Sequence, residues 1–187
     1  MRSYSLEVSH PVGIATKALR IFEELRFKRW LNKNASEVLA EVGVRAGQVV
    51  LDFGCGSGTY TIPAAKLVGA EGRVYALDIS KKALDQVEKK AKQEELKNIV
   101  RIDASGEEGI RLEDKTIDLM LLFDILHKID NSEALFDEAH RILKSDGVVS
   151  IYPMHLAEEE VERLATRRGF QLKDRKFQGR ILIYSRA

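Results

Sequence analysis

A chain of 187 residues is long enough to bury a core without disulfides or a structural metal, and ordinarily folds as one domain. Hydrophobic residues at 44% and charged residues at 32% make a globular composition, and a formal net charge of +1 demands neither a nucleic-acid nor a membrane partner. The single cysteine, Cys55, excludes an internal disulfide framework, and no Cys/His cluster has the spacing of a zinc site, so no metal is expected.

The opening MRSYSLEVSHPVG lacks the apolar core of a signal peptide, and no apolar run approaches a membrane span, so the expected location is the cytoplasm. Residues 14–31 place Ile14, Ala18, Ile21, Phe22, Leu25 and Trp30 at helical spacing, predicting an amphipathic helix outside the sheet, with Trp30 as a core anchor. Ser36, Leu39, Val42 and Val44 predict a short second helix broken by Gly43 and Gly47. QVVLDF reads as a buried strand. The helix after it runs to about Gly69, and Pro63, which has no amide hydrogen, restricts its start to near Ser57 or Thr59. RVYALDI is a second strand, and Ser80 is placed to cap the charged helix that runs to about Glu95. NIVRIDA and TIDLMLLF are the third and fourth strands, joined by the loop SGEEGIRLEDK. Ser132 is placed to cap a helix that Lys144 and Gly147 would close. GVVSIYP is a fifth strand and EEEVERLATRRG a helix. Two alternating runs joined near Gly179 predict a terminal antiparallel hairpin. There is no linker, repeat or low-complexity tract. The expected fold is α/β, a doubly wound Rossmann-like sheet of seven strands, mostly parallel with an antiparallel C-terminal strand and helices on both faces. The expected organisation is one domain over 1–187, with a helical arm or lid over 1–33 and an α/β core over 34–187.

Four of the predicted strands end in an aspartate: Asp52, Asp78, Asp103 and Asp124. In a parallel doubly wound sheet these carboxylates fall at the carboxyl ends of strands, where such sheets bind ligands, and so many acids at one rim suit a cationic, ribose-bearing ligand. Glycines at 54, 56 and 58 form a strand-to-helix turn whose backbone a ligand can approach closely. A nicotinamide fingerprint wants its third glycine three positions after the second, but position 59 is Thr, and Asp52 would repel a pyrophosphate. A Walker loop lacks its Gly-Lys-Ser/Thr. Asp78, twenty residues after Gly58, stands where an acid accepts hydrogen bonds from ribose hydroxyls; otherwise strand-end aspartates merely cap turns or helices.

The segments VVLDFGCGSGTYTIPAAKLV, GRVYALDIS, Asp103-Ala104, LLFDILHKID and EAHRILKSDGVVSIY resemble the class I S-adenosylmethionine-dependent methyltransferases, over about residues 34–152. The resemblance implies S-adenosylmethionine as cofactor. It sets Asp52, Gly54, Cys55, Gly56, Ser57 and Gly58 around the methionine part and Asp78 at the ribose. It also sets Asp103 at the adenine amino group, Ile79 and Ala104 against the ring, and Phe123 at the substrate-facing end.

Methyl transfer from a sulfonium is a direct displacement, so alignment supplies much of the acceleration and no nucleophilic residue is required. Phe123-Asp124-Ile125-Leu126 departs from the Asn/Asp-Pro-Pro-aromatic motif of the amino-methylating members. With Cys55 inside the loop, a covalent cysteine mechanism and arsenite methylation both lose their thiols. FDILHKID and LFDEAHRILKSDG look most like the branch acting on quinone precursors, lipids and other small metabolites, so a small-molecule substrate is expected. The alternatives are an RNA or protein methyltransferase and a non-catalytic cofactor-binding subunit. From Arg163 onward eight Lys or Arg face one acid, Asp174, which reads either as phosphate contacts or as a solvated surface. His127 is the candidate general base, or else satisfies backbone groups. His155 is a second candidate, His10 lies in the arm, His140 is structural, and Tyr60 borders the cofactor carboxylate or simply packs.

Overall fold

Sheet order explains why the strand-end aspartates converge. The computed structural model describes residues 12–105 and 110–187, and these fall into two units that part between Lys33 and Asn34. The first holds α1 (Val12–Lys33). Within it Phe27 and Trp30 stack at 5.8 Å between ring centroids. Trp30 is not the buried anchor its size suggested: it is 39% exposed, and Ile21, Phe22 and Leu25 are exposed as well.

The second unit runs α2 (Ala35–Glu41), β1 (Val49–Phe53), α3 (Thr61–Val68), β2 (Arg73–Asp78), α4 (Lys81–Gln93) and β3 (Ile99–Asp103). It continues with β4 (Ile117–Phe123), α5 (Ser132–Ile142), β5 (Leu143–Tyr152), α6 (Glu158–Arg167), β6 (Phe170–Lys176) and β7 (Ile181–Arg186). The seven strands order as β3-β2-β1-β4-β5-β7-β6, parallel through β5, with β7 antiparallel to both β5 and β6. Chain order reverses between β1 and β4, the switch point at which doubly wound sheets open a crevice. Alternate residues of β2 show the helices on both faces. Ala76 packs with Leu84 and Val87 of α4, whereas Leu77 belongs to the large cluster containing Leu135 and Phe136 of α5.

Three local expectations are corrected. α3 starts at Thr61, later than Ser57 or Thr59, because residues 54–60 are spent on turns; Pro63 still falls in its first turn. Asn131, not Ser132, caps α5, its side chain accepting from Ala134 N at 3.0 Å. Nor do Lys144 and Gly147 close that helix. α5 ends at Ile142 and the chain enters β5 directly, where Leu143 is buried opposite Ile117. There Lys144 Nζ donates to Asp118 Oδ1 at 2.7 Å, while Asp118 Oδ2 accepts from Val49 N at 2.7 Å, satisfying an acid inside a buried strand. The predicted cap at Ser80 is present, its hydroxyl oxygen accepting from Ala83 N at 3.3 Å.

Candidate active site

The turn leaving β1 is pinned to the end of β2. Gly54 N and Cys55 N both donate to Leu77 O, at 2.8 and 3.0 Å, and Gly56 N donates to Asp78 Oδ2 at 2.8 Å. Asp78 Oδ1 accepts from Ser80 N at 2.8 Å, so this carboxylate ties the glycine turn to the start of α4. Ser57 O accepts from Lys90 Nζ at 2.6 Å, and Gly58 backs onto Val87. Gly54 and Gly56 are required for different reasons. Gly54 has φ +74°, and a Cβ there would stand 2.6 Å from Ile125 Cγ1, whereas Gly56, at φ +52°, faces open space. Gly54→Ala is therefore expected to cost about 2 kcal/mol, from left-handed strain plus displacement of Ile125. Urea denaturation checks it; an unchanged midpoint would mean that the turn relaxes freely.

Asp52 is buried inside β1 and accepts from Thr61 Oγ1 at 2.6 Å. Burial pushes its pKa up to about 6 despite that hydrogen bond, and the nearby Asp78 charge adds to the rise. The Cys55 thiol is pushed far up by burial and then by Asp52 and Asp78, so it stays protonated and is no nucleophile. Tyr60 is likewise raised by burial, with Asp52 and Asp124 contributing, and its ring meets Phe123 edge-on at 4.9 Å. Phe123 also packs edge-on against Tyr152, at 6.5 Å.

A largely apolar cavity of about 390 Å³ opens at the carboxyl ends of β1, β2 and β3. That is within the size range of small-ligand sites. Of the residues that the resemblance sets around the cofactor, Gly54, Asp78, Ile79, Asp103 and Ala104 line it; Asp52, Cys55, Gly56, Ser57, Gly58 and Phe123 lie outside its walls. Ile79 is 73% exposed, a large apolar surface at the mouth. Asp103 Oδ1 accepts from Ser105 N at 3.0 Å, and hydrogen bonding from the Ser105 side chain, then from this amide, holds its carboxyl below the usual range, assisted by Lys81. The opposite wall, Ile110, Arg111, Ile125, Lys128 and Leu135, escaped the sequence reading. Part of it is held by Arg141, which donates to Leu112 O at 2.8 Å and Ile110 O at 3.0 Å and pairs with Asp114 and Glu138. Nothing in EAHRILK marks that arginine as a clamp.

Beyond Phe123 the chain turns sharply. Asp124 adopts φ +56°, in the left-handed region that aspartate enters more readily than most L residues, and its N–H donates to Tyr152 O at 3.0 Å. A 3₁₀ turn, Leu126–Lys128, carries His127, whose Nδ1 lies 3.9 Å from Asp124 Oδ1. His155 Nε2 approaches the same oxygen at 3.9 Å, and the two imidazoles meet edge-on at 4.4 Å. His140 packs on Phe170 at 5.8 Å, as a structural residue should, and His10 lies outside the described residues. Of the C-terminal bases, Arg168 pairs with Glu133 and Asp137, Arg175 with Glu158, and Lys176 with Glu41 and Asp174. No helix among the described residues is long and apolar enough to cross a membrane.

Residues 45–174 match the family model described as a methyltransferase domain. The chain is 30% identical over 150 residues to a demethylmenaquinone methyltransferase of Geobacillus stearothermophilus, covering 79% of this chain and 63% of that protein. It is 32% identical over 108 residues to one of Lactobacillus johnsonii, covering 58% and 44%. It thus spans about half the length of the curated relatives it matches. A SAM-dependent methyltransferase structure from Aquifex aeolicus superposes with a TM-score of 0.73 at 23% identity, over 86% of this chain and 96% of that one.

Proposed function

The chain belongs to the methyltransferase-domain family, and from that membership we propose that it binds S-adenosylmethionine and methylates a small aromatic acceptor bearing an ionisable hydroxyl. The observation that carries the reading is the cavity at the switch point, floored by Gly54 and walled by two strand-end carboxylates and apolar side chains. Its residues fit the cofactor's adenosine part: Ile79 and Ala104 offer apolar surface for adenine, Asp78 accepts from ribose hydroxyls and Asp103 from the exocyclic amine. When bound, the cofactor supplies a methyl group on a cationic sulfur. Asp52 and the turn over residues 54–58 receive its methionine end, and Phe123 with Asp124 borders the reacting end. The relatives' name favours a quinone-like acceptor, and His127 is the group set to take the hydroxyl proton. Calorimetry is expected to find one site per chain for S-adenosylmethionine and for its demethylated product, and no useful affinity for NAD. Tight NAD binding with none for the methyl donor would overturn the assignment.

A second prediction follows from Asp52. Its folded-state pKa lies above the ordinary 3.8, so the stability it contributes is fully present below about pH 3.8 and is lost as pH rises through about 6. The loss is about 3 kcal/mol at about 1.4 kcal/mol per pKa unit. Asn mimics the neutral acid, so Asp52→Asn is expected to gain up to that amount over wild type between pH 4 and pH 7 in denaturant titrations. A pH-independent difference would show that the carboxyl ionises without penalty. A cationic donor stabilises the ionised form, so donor affinity should rise from pH 5 to pH 7.

A further inference from the structure

We infer that Asp124, His127 and His155 bind a divalent first-row transition cation, with coordination positions left open to an oxygen ligand of the acceptor. The last clause rests on the reading of this end as the place of methyl transfer; the cation site itself rests on geometry. One donor atom from each of the three residues lies within 4.8 Å of the other two. A cation centred among three such atoms is at most about 2.8 Å from each, so a contraction of under about 1 Å per ligand reaches zinc–nitrogen and zinc–oxygen bond lengths. The separations from Asp124 Oδ1 to His127 Nδ1 and to His155 Nε2 are both 3.9 Å, longer than a direct hydrogen bond.

The convergence has a structural cause. The bond from Asp124 N to Tyr152 O ties the exit of β4 to the exit of β5, and His155 follows Tyr152 by three residues. On the β4 side, the left-handed Asp124 and the 3₁₀ turn bring His127 back toward the carboxyl that precedes it. His155 is the more exposed of the two rings, which leaves an entry path and freedom to close on an ion.

Two imidazoles and one carboxylate select metals of the zinc, iron(II) and cobalt(II) type, whereas calcium and magnesium prefer all-oxygen sites. Three protein ligands leave a fourth position open in tetrahedral geometry, as catalytic zinc sites do. A hydroxyl bound there releases its proton to water more readily, because the cation stabilises the oxyanion. With a cation bound, His127 is a ligand and the hydroxyl proton leaves to water; its role as base belongs to the metal-free protein.

Cobalt(II) added to chelator-stripped protein reads the site directly through its visible d–d absorption. One cobalt per chain is expected in wild type, with the band lost in His127→Ala and in His155→Ala and retained in His140→Gln. Zinc competition against a chromophoric chelator should show each ligand replacement weakening affinity by at least about tenfold, the loss seen when even an outer-shell partner of a ligand is removed. Should Asp124→Asn fold poorly, the half-exposed His155 still provides a testable variant. A cobalt spectrum no different from the aqueous ion would overturn the site, as would a bound cation indifferent to both histidine replacements. Donor calorimetry on the same stripped samples separates the two readings. Donor binding without cobalt binding defeats only the cation site; absent donor binding defeats the proposed function.

Discussion

His127→Ala is expected to keep its affinity for the methyl donor and its melting temperature while losing about 10²- to 10⁴-fold in turnover, the range for removing a general base. The imidazole sits on a short 3₁₀ turn with its Nδ1 3.9 Å from Asp124 Oδ1, at the end of the site where the acceptor is placed. The ring is 21% exposed and stands outside the fully buried core, which at this point is built from Leu126, so truncation is expected to cost less stability than loss of Leu126 would. His155→Ala is the informative companion. If His127 acts as a base, His155→Ala keeps most turnover. If the trio holds a cation, both variants fall together and a chelator reproduces the loss in wild type. Full turnover in His127→Ala would leave alignment of donor and acceptor as the whole mechanism.

Asp78→Ala is expected to weaken donor binding by about 1.5–3 kcal/mol, roughly 10- to 150-fold, the scale for hydrogen bonds to a charged group. From sequence the mutation looked neutral for the fold, because a strand-end acid at a rim seemed free to serve the ribose alone. The structure adds a second role, since both oxygens already accept backbone amides, from Gly56 and from Ser80. Each carboxylate oxygen has a further lone pair, so ribose contact and turn anchoring coexist. Removing the carboxylate strips the glycine turn of one of its anchors to β2, and an added loss of about 1–3 kcal/mol in unfolding free energy is expected if Gly56 N stays buried. Asp78→Asn should recover part of the stability, with one amide oxygen accepting from one of the two donors. Unchanged donor affinity in a folded alanine variant would reduce Asp78 to a clamp on the turn.

The strands, the glycine turn and the strand-end acids were legible because each is a local signal. β-branched runs of strand length, glycines where φ must be positive, and an acid closing each run need no knowledge of distant residues. From these followed a mostly parallel seven-stranded sheet and the terminal hairpin; Gly54, Asp78, Ile79, Asp103 and Ala104, which the family resemblance named as cofactor residues, line the cavity. The same local reading misplaced the end of α5. Lys144 and Gly147 look like a helix terminus in sequence, and only the pairing of Leu143 with Ile117 across the sheet makes them strand. Ile125 over Gly54, the Arg141 clamp and the meeting of His127 with His155 also depended on the tertiary structure, since each joins segments that only the sheet brings together. Spacing along the chain offers no metal cluster, and Asp124, His127 and His155 come within 4.8 Å of one another only in the fold. The Asp124–Tyr152 bond joins the ends of two strands and thereby shortens in space a separation that is long in sequence.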